Sequence, residues 1–291
     1  MTQIIDGKKI AQEIRQEVAV EVKDLKKTGI QPHLSVILVG ENPASKVYVR
    51  MKEKACEEVG ILSETLTFSD SLTQTELIKV IHDLNNDPKI HGILVQLPLP
   101  PQIDENLIIE TIAPYKDVDG LHPINMGKLA AGQLDGFVPA TPAGVLELLI
   151  RTNHSPEGKH TVIVGRSNLV GKPLGLLLLR KHKDGNATVT FCHSRTQNLG
   201  AITQTADILV AAIGRPEMIR KEMVRPGAVV IDVGVNRVDD SSQPRGYHLV
   251  GDVHFEGVSE VAKAITPVPG GVGPMTIALL LKNTLKASKK E

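Results

Sequence analysis

Short aliphatic runs, each followed by a segment of helical spacing, recur along almost the whole chain, and this alternation limits the fold more than any other feature. Leu34 to Val39 is one such run, as expected of a parallel strand buried on both faces. Further strands are expected near Leu62 to Thr67 and from Ile90 to Gln96, and Thr161 to Val164, Ala187 to Phe191, Asp207 to Ala212 and Ala228 to Val233 are short apolar ones. Between and before them lie helical patterns. Ile10, Ile14, Val18, Val22 and Leu25 repeat at helical spacing between a candidate cap at Asp6 and a stop at Gly29. A second helix is expected from about Ala44 to Val59, stopped by Gly60, and a third opens with the capping box of Thr73 and Glu76. Successive strand–helix units of this kind predict an α/β fold with parallel sheets.

The chain has 291 residues, enough for two domains of ordinary size. Thr141 and Pro142 suit the start of an apolar helix through Val145 to Ile150, and the polar stretch Thr152 to His160 after it is a plausible boundary. The four short strands beyond it suggest a Rossmann-like unit, and the last helix, Met275 to Leu285, is free to return to the first domain. With no Trp, three Tyr and four Phe, the cores must be built from Ile, Leu, Val and Ala, so an exposed Tyr is a candidate stacking surface. Lys plus Arg and Asp plus Glu are both 33, which provides no bulk positive field for nucleic acid or an anionic membrane. Cys56 and Cys192 form no disulfide framework and no CxxC pair, and no metal site is expected. The first residues contain no apolar signal core and no stretch approaches roughly 18 uninterrupted apolar residues, so a cytoplasmic protein is expected.

Directly after the strand Thr161 to Val164 comes a glycine turn, Gly165-Arg166-Ser167 through Gly171, Lys172, Pro173 and Gly175, and then an aliphatic helix. Such a turn presents backbone NH groups at a helix N-terminus, where a pyrophosphate gains both hydrogen bonds and the helix dipole. The spacing is not GxGxxG, and an ordinary βα turn is the alternative. A P-loop is excluded: five residues separate Gly165 from Gly171, and Lys172 is followed by Pro. NAD sites carry an acidic residue at the end of the second strand, whereas here that strand ends in His193, Ser194 and Arg195. A hydroxyl and a guanidinium suit a 2′-phosphate, so NADP is expected, with Arg166 a second candidate for that charge. Gly214 and the Gly234–Val235 pair end the next two strands, where small residues let a nicotinamide and its ribose approach; plain tight turns are the other reading.

Tyr48 and Lys52 stand at i and i+4 on the second helix and share a face. Three further segments are candidates to converge with them: Val95, Gln96 and Leu97 at a strand end, Asp119 before Gly120, and Pro269, Gly270 and Gly271 ahead of the last helix. Asp119 is equally readable as a turn-former. The run Ala44 to Lys54, the segment Gly92 to Pro100, Lys116 to Gly120, Gly165-Arg-Ser with Val170-Gly-Lys-Pro, and Pro269 to Thr276 together resemble the bacterial methylenetetrahydrofolate dehydrogenase/cyclohydrolase family, in order and over almost the whole chain.

The resemblance implies a folate-binding catalytic domain of residues 1–145 completed by 275–291, and an NADP-binding Rossmann-like domain of residues 146–274. It implies oxidation of methylenetetrahydrofolate with NADP, hydrolysis of the methenyl product to 10-formyltetrahydrofolate, a place in one-carbon metabolism and purine biosynthesis, and a homodimer joined through the nucleotide domains. Lys52 matches the acid/base of the hydrolysis, Gln96 the residue that orients and tunes it, Tyr48 a residue packed on the substrate, and Asp119 the residue that holds the pterin. Val95, Leu97 and Pro269 to Gly271 match further substrate contacts. A short-chain dehydrogenase also pairs a YxxxK motif with a Rossmann sheet, but here the motif precedes Gly165 by more than a hundred residues, the reverse of that class's order. An NADP-binding sensor without chemistry is the non-enzymatic rival, and the Lys52, Gln96 and Asp119 set argues against it.

Overall fold

A computed structural model describes residues 1–133, 135–243 and 246–289. In chain order its elements are β1 (Gln3–Ile4), α1 (Gly7–Lys27), β2 (His33–Val39), α2 (Pro43–Val59), β3 (Leu62–Phe68), α3 (Gln74–Asn86), β4 (Gly92–Val95), α4 (Glu105–Thr111), α5 (Pro123–Ala130) and α6 (Ala140–Arg151). They continue with β5 (His160–Val164), α7 (Gly171–Leu179), β6 (Thr188–Cys192), α8 (Leu199–Thr203), β7 (Ile208–Ala211), β8 (Val229–Asp232), β9 (Asn236–Asp239), β10 (Tyr247–Val250), α9 (Phe255–Ser259), β11 (Ala264–Ile265) and α10 (Val272–Ser288). Two compact units result: Gln12–Ala140 with Ile277–Glu291, and Met1–Ala11 with Thr141–Thr276. Lys290 and Glu291, the last two residues of the expected 275–291 segment, lie outside the described residues.

The first unit is built on a three-stranded parallel sheet in the order β3-β2-β4. Leu34 to Val39 on its central strand are all buried, which explains why the run is aliphatic apart from Ser35. Ile37, Val39, Ile93 and Val95 pack with Leu77 and Ile81 of α3 and Ile108 of α4, each such side chain contributing roughly 1.5–3 kcal/mol of burial. Helix α2 starts where the Asn42 side chain accepts from the NH groups of Ala44 and Ser45, with Pro43 in the first turn, and stops at Gly60 (φ 78°), whose NH returns to the Cys56 and Glu57 carbonyls. Thr73 and Glu76 form the expected reciprocal capping box on α3.

The second unit contains a six-stranded sheet in the order β1-β11-β8-β7-β5-β6, parallel throughout. β5, β7 and β8 are its buried interior, and the order reverses around β5, as in doubly wound folds. The first eleven residues belong to this unit, whereas the sequence places residues 1–145 together; the cause is β1, which pairs with β11 through Gln3↔Ala264 and Ile4↔Ile265. Strands of two residues carry no period and leave no trace in sequence. An antiparallel hairpin of β9 and β10 is a further element without a sequence signal; the Arg237 guanidinium lies over the Tyr247 ring at 4.2 Å. Among the described residues no helix is long and apolar enough to cross a membrane.

Candidate active site

In the three-stranded unit, the registers Val36↔Leu94 and Ile37↔Val95 align β4 with β2, and the Gln96 NH then donates to the Ile37 carbonyl at 2.9 Å, fixing Gln96 at the carboxyl edge of the sheet. Lys52, half-buried on α2, donates from Nζ to Gln96 Oε1 at 3.0 Å. The Gln96 amide is oriented by its own donation to the Leu97 carbonyl at 2.8 Å, which turns its oxygen toward the lysine. Tyr48, one helical turn before Lys52, is 48% exposed, as a surface for stacking requires. Val95 is buried and serves the core, and Leu97 is partly buried against the same cluster.

Burial lowers the pKa of Lys52, and the Asp119 carboxyl opposes that shift. Burial raises the pKa of Asp119 in turn, Lys52 pulls it down, and Asp117 adds to the rise. Each is therefore biased toward its neutral form by desolvation and toward its charged form by the other. Cys56, one turn beyond Lys52, is a buried thiol pushed up to about 11, mainly by burial, and stays protonated at neutral pH.

The segment that carries Asp119 is held from both ends. Asp117 accepts from the NH groups of Leu121 (3.3 Å) and His122 (2.8 Å) and from Asn125 Nδ2 (2.8 Å). Asn283 on α10 donates to the carbonyls of Val118 and Val138 at 2.8 and 3.0 Å, tying the last helix to this segment. Gly120 sits at φ 72° with a would-be Cβ only 2.7 Å from the backbone of Val138 and Pro139, a place no side chain fits. The turn-forming bonds come from Asp117, and Asp119 faces Lys52.

In the six-stranded unit, Gly165 follows β5 with φ 142°, and a Cβ there would lie 2.2 Å from the Ala212 carbonyl oxygen. Ser167 Oγ accepts from the NH groups of Val170 and Gly171 at 3.1 and 3.4 Å and so closes the loop that opens α7. Gly171 touches the Gly165 carbonyl, and Gly175 touches the Phe191 ring, so both glycines are needed for packing. Arg166, Ser167, Ser194 and Arg195 are exposed. His193 orders the last pair: its Nδ1 accepts from the Arg195 NH at 3.1 Å, and its own NH donates to Thr196 Oγ1. Gly214, at φ 71°, and Val235, 49% exposed, follow β7 and β8 at the same edge. A backbone cradle with exposed basic and hydroxyl groups at the second strand end fits a phosphorylated dinucleotide.

Pro269, Gly270 and Gly271 also belong to the six-stranded unit. The Gly270 carbonyl (φ 112°) accepts from the Lys8 NH at 3.1 Å, and Gly7 approaches Gly271 too closely for any Cβ. The structure thus brings Tyr48, Lys52, Gln96 and Asp119 together in one unit and keeps the Pro269–Gly271 turn with the other. Among the described residues no group of three His, Cys, Asp or Glu side chains is arranged to hold a metal ion.

Two family models match the chain: the tetrahydrofolate dehydrogenase/cyclohydrolase catalytic domain over residues 5–119, and the NAD(P)-binding domain of the same enzymes over residues 139–291. The chain belongs to the tetrahydrofolate dehydrogenase/cyclohydrolase family. It is 56% identical over 289 residues to the bifunctional protein FolD of Chlorobium chlorochromatii, covering 99% of this chain and 98% of that one. The bifunctional protein FolD of Moorella thermoacetica is 57% identical over 288 residues, with 99% of both chains covered. Among solved structures, the Campylobacter jejuni bifunctional methylenetetrahydrofolate dehydrogenase/cyclohydrolase superposes with a TM-score of 0.94 at 48% identity, covering 99% of each chain. The Trypanosoma brucei enzyme, solved with NADP cofactor and inhibitor, gives 0.92 at 40% identity, covering 99% of this chain and 97% of that one.

Within this dehydrogenase/cyclohydrolase, two site-bearing features escape sequence reasoning. One is the role of Asp117, Asn125 and Asn283 in shaping the Asp119 turn. The other is a pair of buried acids, Asp232 and Asp252, beneath the turns that follow β7 and β8.

Proposed function

We propose that this chain is a bifunctional enzyme that oxidises 5,10-methylenetetrahydrofolate to the 5,10-methenyl compound with NADP and then hydrolyses that product to 10-formyltetrahydrofolate. The observation that carries the reading is the half-buried Lys52 amine bonded to Gln96 Oε1 and facing the Asp119 carboxyl. NADP held by the Gly165–Gly171 loop would supply the acceptor for the hydride that leaves the methylene carbon. Expulsion of that hydride is driven by the substrate's nitrogen lone pair, so the protein's task in this step is placement.

Hydrolysis asks more. Water adds to the methenyl carbon and must lose a proton as it does so; the tetrahedral adduct then breaks its bond to one ring nitrogen, which leaves with a proton. A lysine kept partly neutral by burial serves both transfers, first as base and then as acid. Gln96 fixes the amine's direction, Tyr48 offers a ring for the folate to stack on, and Asp119 takes the pterin's donor groups. Leu97 and the turn Pro269 to Gly271 are assigned to the substrate, whereas the Val95 side chain packs in the core. Gly165, Arg166, Ser167, Ser194, Arg195, Gly214 and Val235 are assigned to the dinucleotide, with Ser194 and Arg195 on its 2′-phosphate.

The domain roles follow: the Lys52 unit for folate, the six-stranded unit for NADP. We assign the enzyme to the cytoplasm, to the supply of one-carbon units for purine biosynthesis, and to a homodimer through the nucleotide units. The exposed Phe191 on edge strand β6 supports the last point. The test is an assay with methylenetetrahydrofolate and NADP that follows NADPH and the methenyl compound separately. Lys52→Met is expected to abolish cyclohydrolase turnover with NADP binding retained; hydrolysis by a folded Lys52→Met protein removes Lys52 from its role.

A further inference from the structure

The backbone leaving β7 turns at Ile213, Gly214 and Arg215, and the three consecutive NH groups all point at one carboxylate. Asp252 Oδ2 accepts from Ile213 (2.6 Å) and Gly214 (2.9 Å), and Oδ1 accepts from Arg215 (2.9 Å) and from Asn236 Nδ2 (2.9 Å). Such a concavity of successive NH groups ordinarily takes a phosphate oxygen. Here the chain fills it with its own fully buried acid, so this turn is closed to the pyrophosphate and its shape is set before any ligand arrives.

Asp252 is held in turn by Asp232 at the end of β8. Asp232 Oδ1 accepts from the NH groups of Gly234 (2.9 Å) and Asp252 (3.0 Å), and Oδ2 from Val253 (2.9 Å). Two glycines clear the space: a Cβ on Gly251 would lie 1.8 Å from Asp232 Oδ2, and one on Gly234 would lie 2.2 Å from the Asp252 carboxyl. Through these bonds one pair of acids ties the Gly214 turn to the Gly234–Asn236 segment. Those segments lie at the carboxyl ends of β7 and β8, the edge where open α/β sheets bind ligands.

We propose that Asp252 is a positioning residue for dinucleotide binding, its carboxylate locking the 213–215 turn and, through Asn236, the segment after β8 into the shape that receives the nicotinamide half of the cofactor. The proposal rests on the reading of Gly214 and Val235 as cofactor contacts. In Asp252→Asn the amide keeps a single acceptor oxygen and turns an NH2 toward backbone donors, so at least one charge-assisted bond to the turn is lost. That loss corresponds to roughly tenfold or more.

The experiment compares the full-length wild type, Asp252→Asn and Asn236→Ala, measuring NADP affinity by titration, the KM for NADP in the dehydrogenase reaction, and hydrolysis of methenyltetrahydrofolate with no nucleotide present. The expected result is weaker NADP binding and a raised KM for NADP in Asp252→Asn, a smaller change of the same sign in Asn236→Ala, and unchanged hydrolysis in both. NADP affinity equal to wild type in folded Asp252→Asn overturns the proposal, as does an equal loss of NADP binding and hydrolysis, which marks a structural role only. If Asp252→Asn does not fold, Asn236→Ala decides, and unaltered NADP affinity there overturns the proposal. A wild-type chain that binds no NADP overturns the cofactor reading itself and this proposal with it.

Discussion

Replacing Gln96 with Glu tests the chemistry of Lys52 with little change of shape. The substitution puts a carboxylate where a neutral oxygen now accepts from Lys52 Nζ at 3.0 Å. The Leu97 carbonyl, which currently takes a bond from the Gln96 amide at 2.8 Å, would repel the new oxygen and push the charge toward the amine. At that separation and an effective dielectric of about 20, the attraction is roughly 5 kcal/mol. Both side chains are half-buried, so screening by water reduces this to about 1–3 kcal/mol, or roughly 1–2 pKa units. Burial holds the Lys52 pKa low, and the added carboxylate raises it again. The sign is then fixed: at a pH below the new pKa the neutral amine falls about 10- to 100-fold, and the rising limb of the cyclohydrolase pH profile moves upward by the same 1–2 units. The assay is loss of methenyltetrahydrofolate absorbance across pH 6–10, with NADP affinity as the control that should not move. Gln96→Leu, which removes an acceptor favouring the ammonium, is expected to shift the limb the opposite way. Two variants that lose rate without displacing the limb would refute control of the reaction by Lys52 ionisation and leave Gln96 an orienting role alone.

Arg195→Asp is expected to move cofactor preference from NADP toward NAD, with the ratio of kcat/KM values changing by about 10- to 100-fold, one or two charge-assisted bonds; an unchanged ratio places the 2′-phosphate on Arg166. Gly165→Ala drives a methyl group to 2.2 Å from the Ala212 carbonyl oxygen at φ 142°, and its NADP affinity should fall steeply with hydrolysis of the methenyl compound intact. Normal NADP titration by that variant would mean the loop is not the cradle. Burial pushes the Asp232 carboxyl up to about 7, well above its unfolded value, so its contribution to stability is complete below about pH 4 and is lost as pH rises through about 7. The loss is up to about 4 kcal/mol. Thermal midpoints should therefore fall from about pH 4 to about pH 7.5 and level off above it, and Asp232→Asn should flatten that slope; a slope that survives the substitution must come from other groups.

How far sequence carries depends on which physical signal each residue leaves. β2, β5, β7 and β8 are legible because a strand buried on both faces is mostly aliphatic. α10 begins at Val272, earlier than its first periodic residue Met275, because Gly273 and Pro274 occupy the first turn, where a missing NH costs nothing. β1, β11 and the β9–β10 hairpin leave no signal: two are only two residues long, and the others carry mixed, half-exposed sequences.

The same distinction separates the site residues that are legible from those that are not. Lys52 stands out because it shares a helix face with Tyr48, Gln96 because it ends an apolar strand, and Asp119 through the resemblance carried by Lys116 to Gly120. Asp117, Asp232 and Asp252 lie within three residues of a glycine and read as ordinary turn residues, yet each folds a turn by accepting three or four hydrogen bonds, those of Asp117 from residues four to eight positions on and most of those of Asp232 and Asp252 from groups distant in sequence. The distant partners of Asp232 and Asp252 come together only once the six-stranded sheet has formed. A buried acid that saturates backbone donors is thus invisible to pattern and decisive for geometry: it sets where Asp119 and Gly214 stand, and side chains that touch substrate or cofactor can work only from turns already fixed in this way.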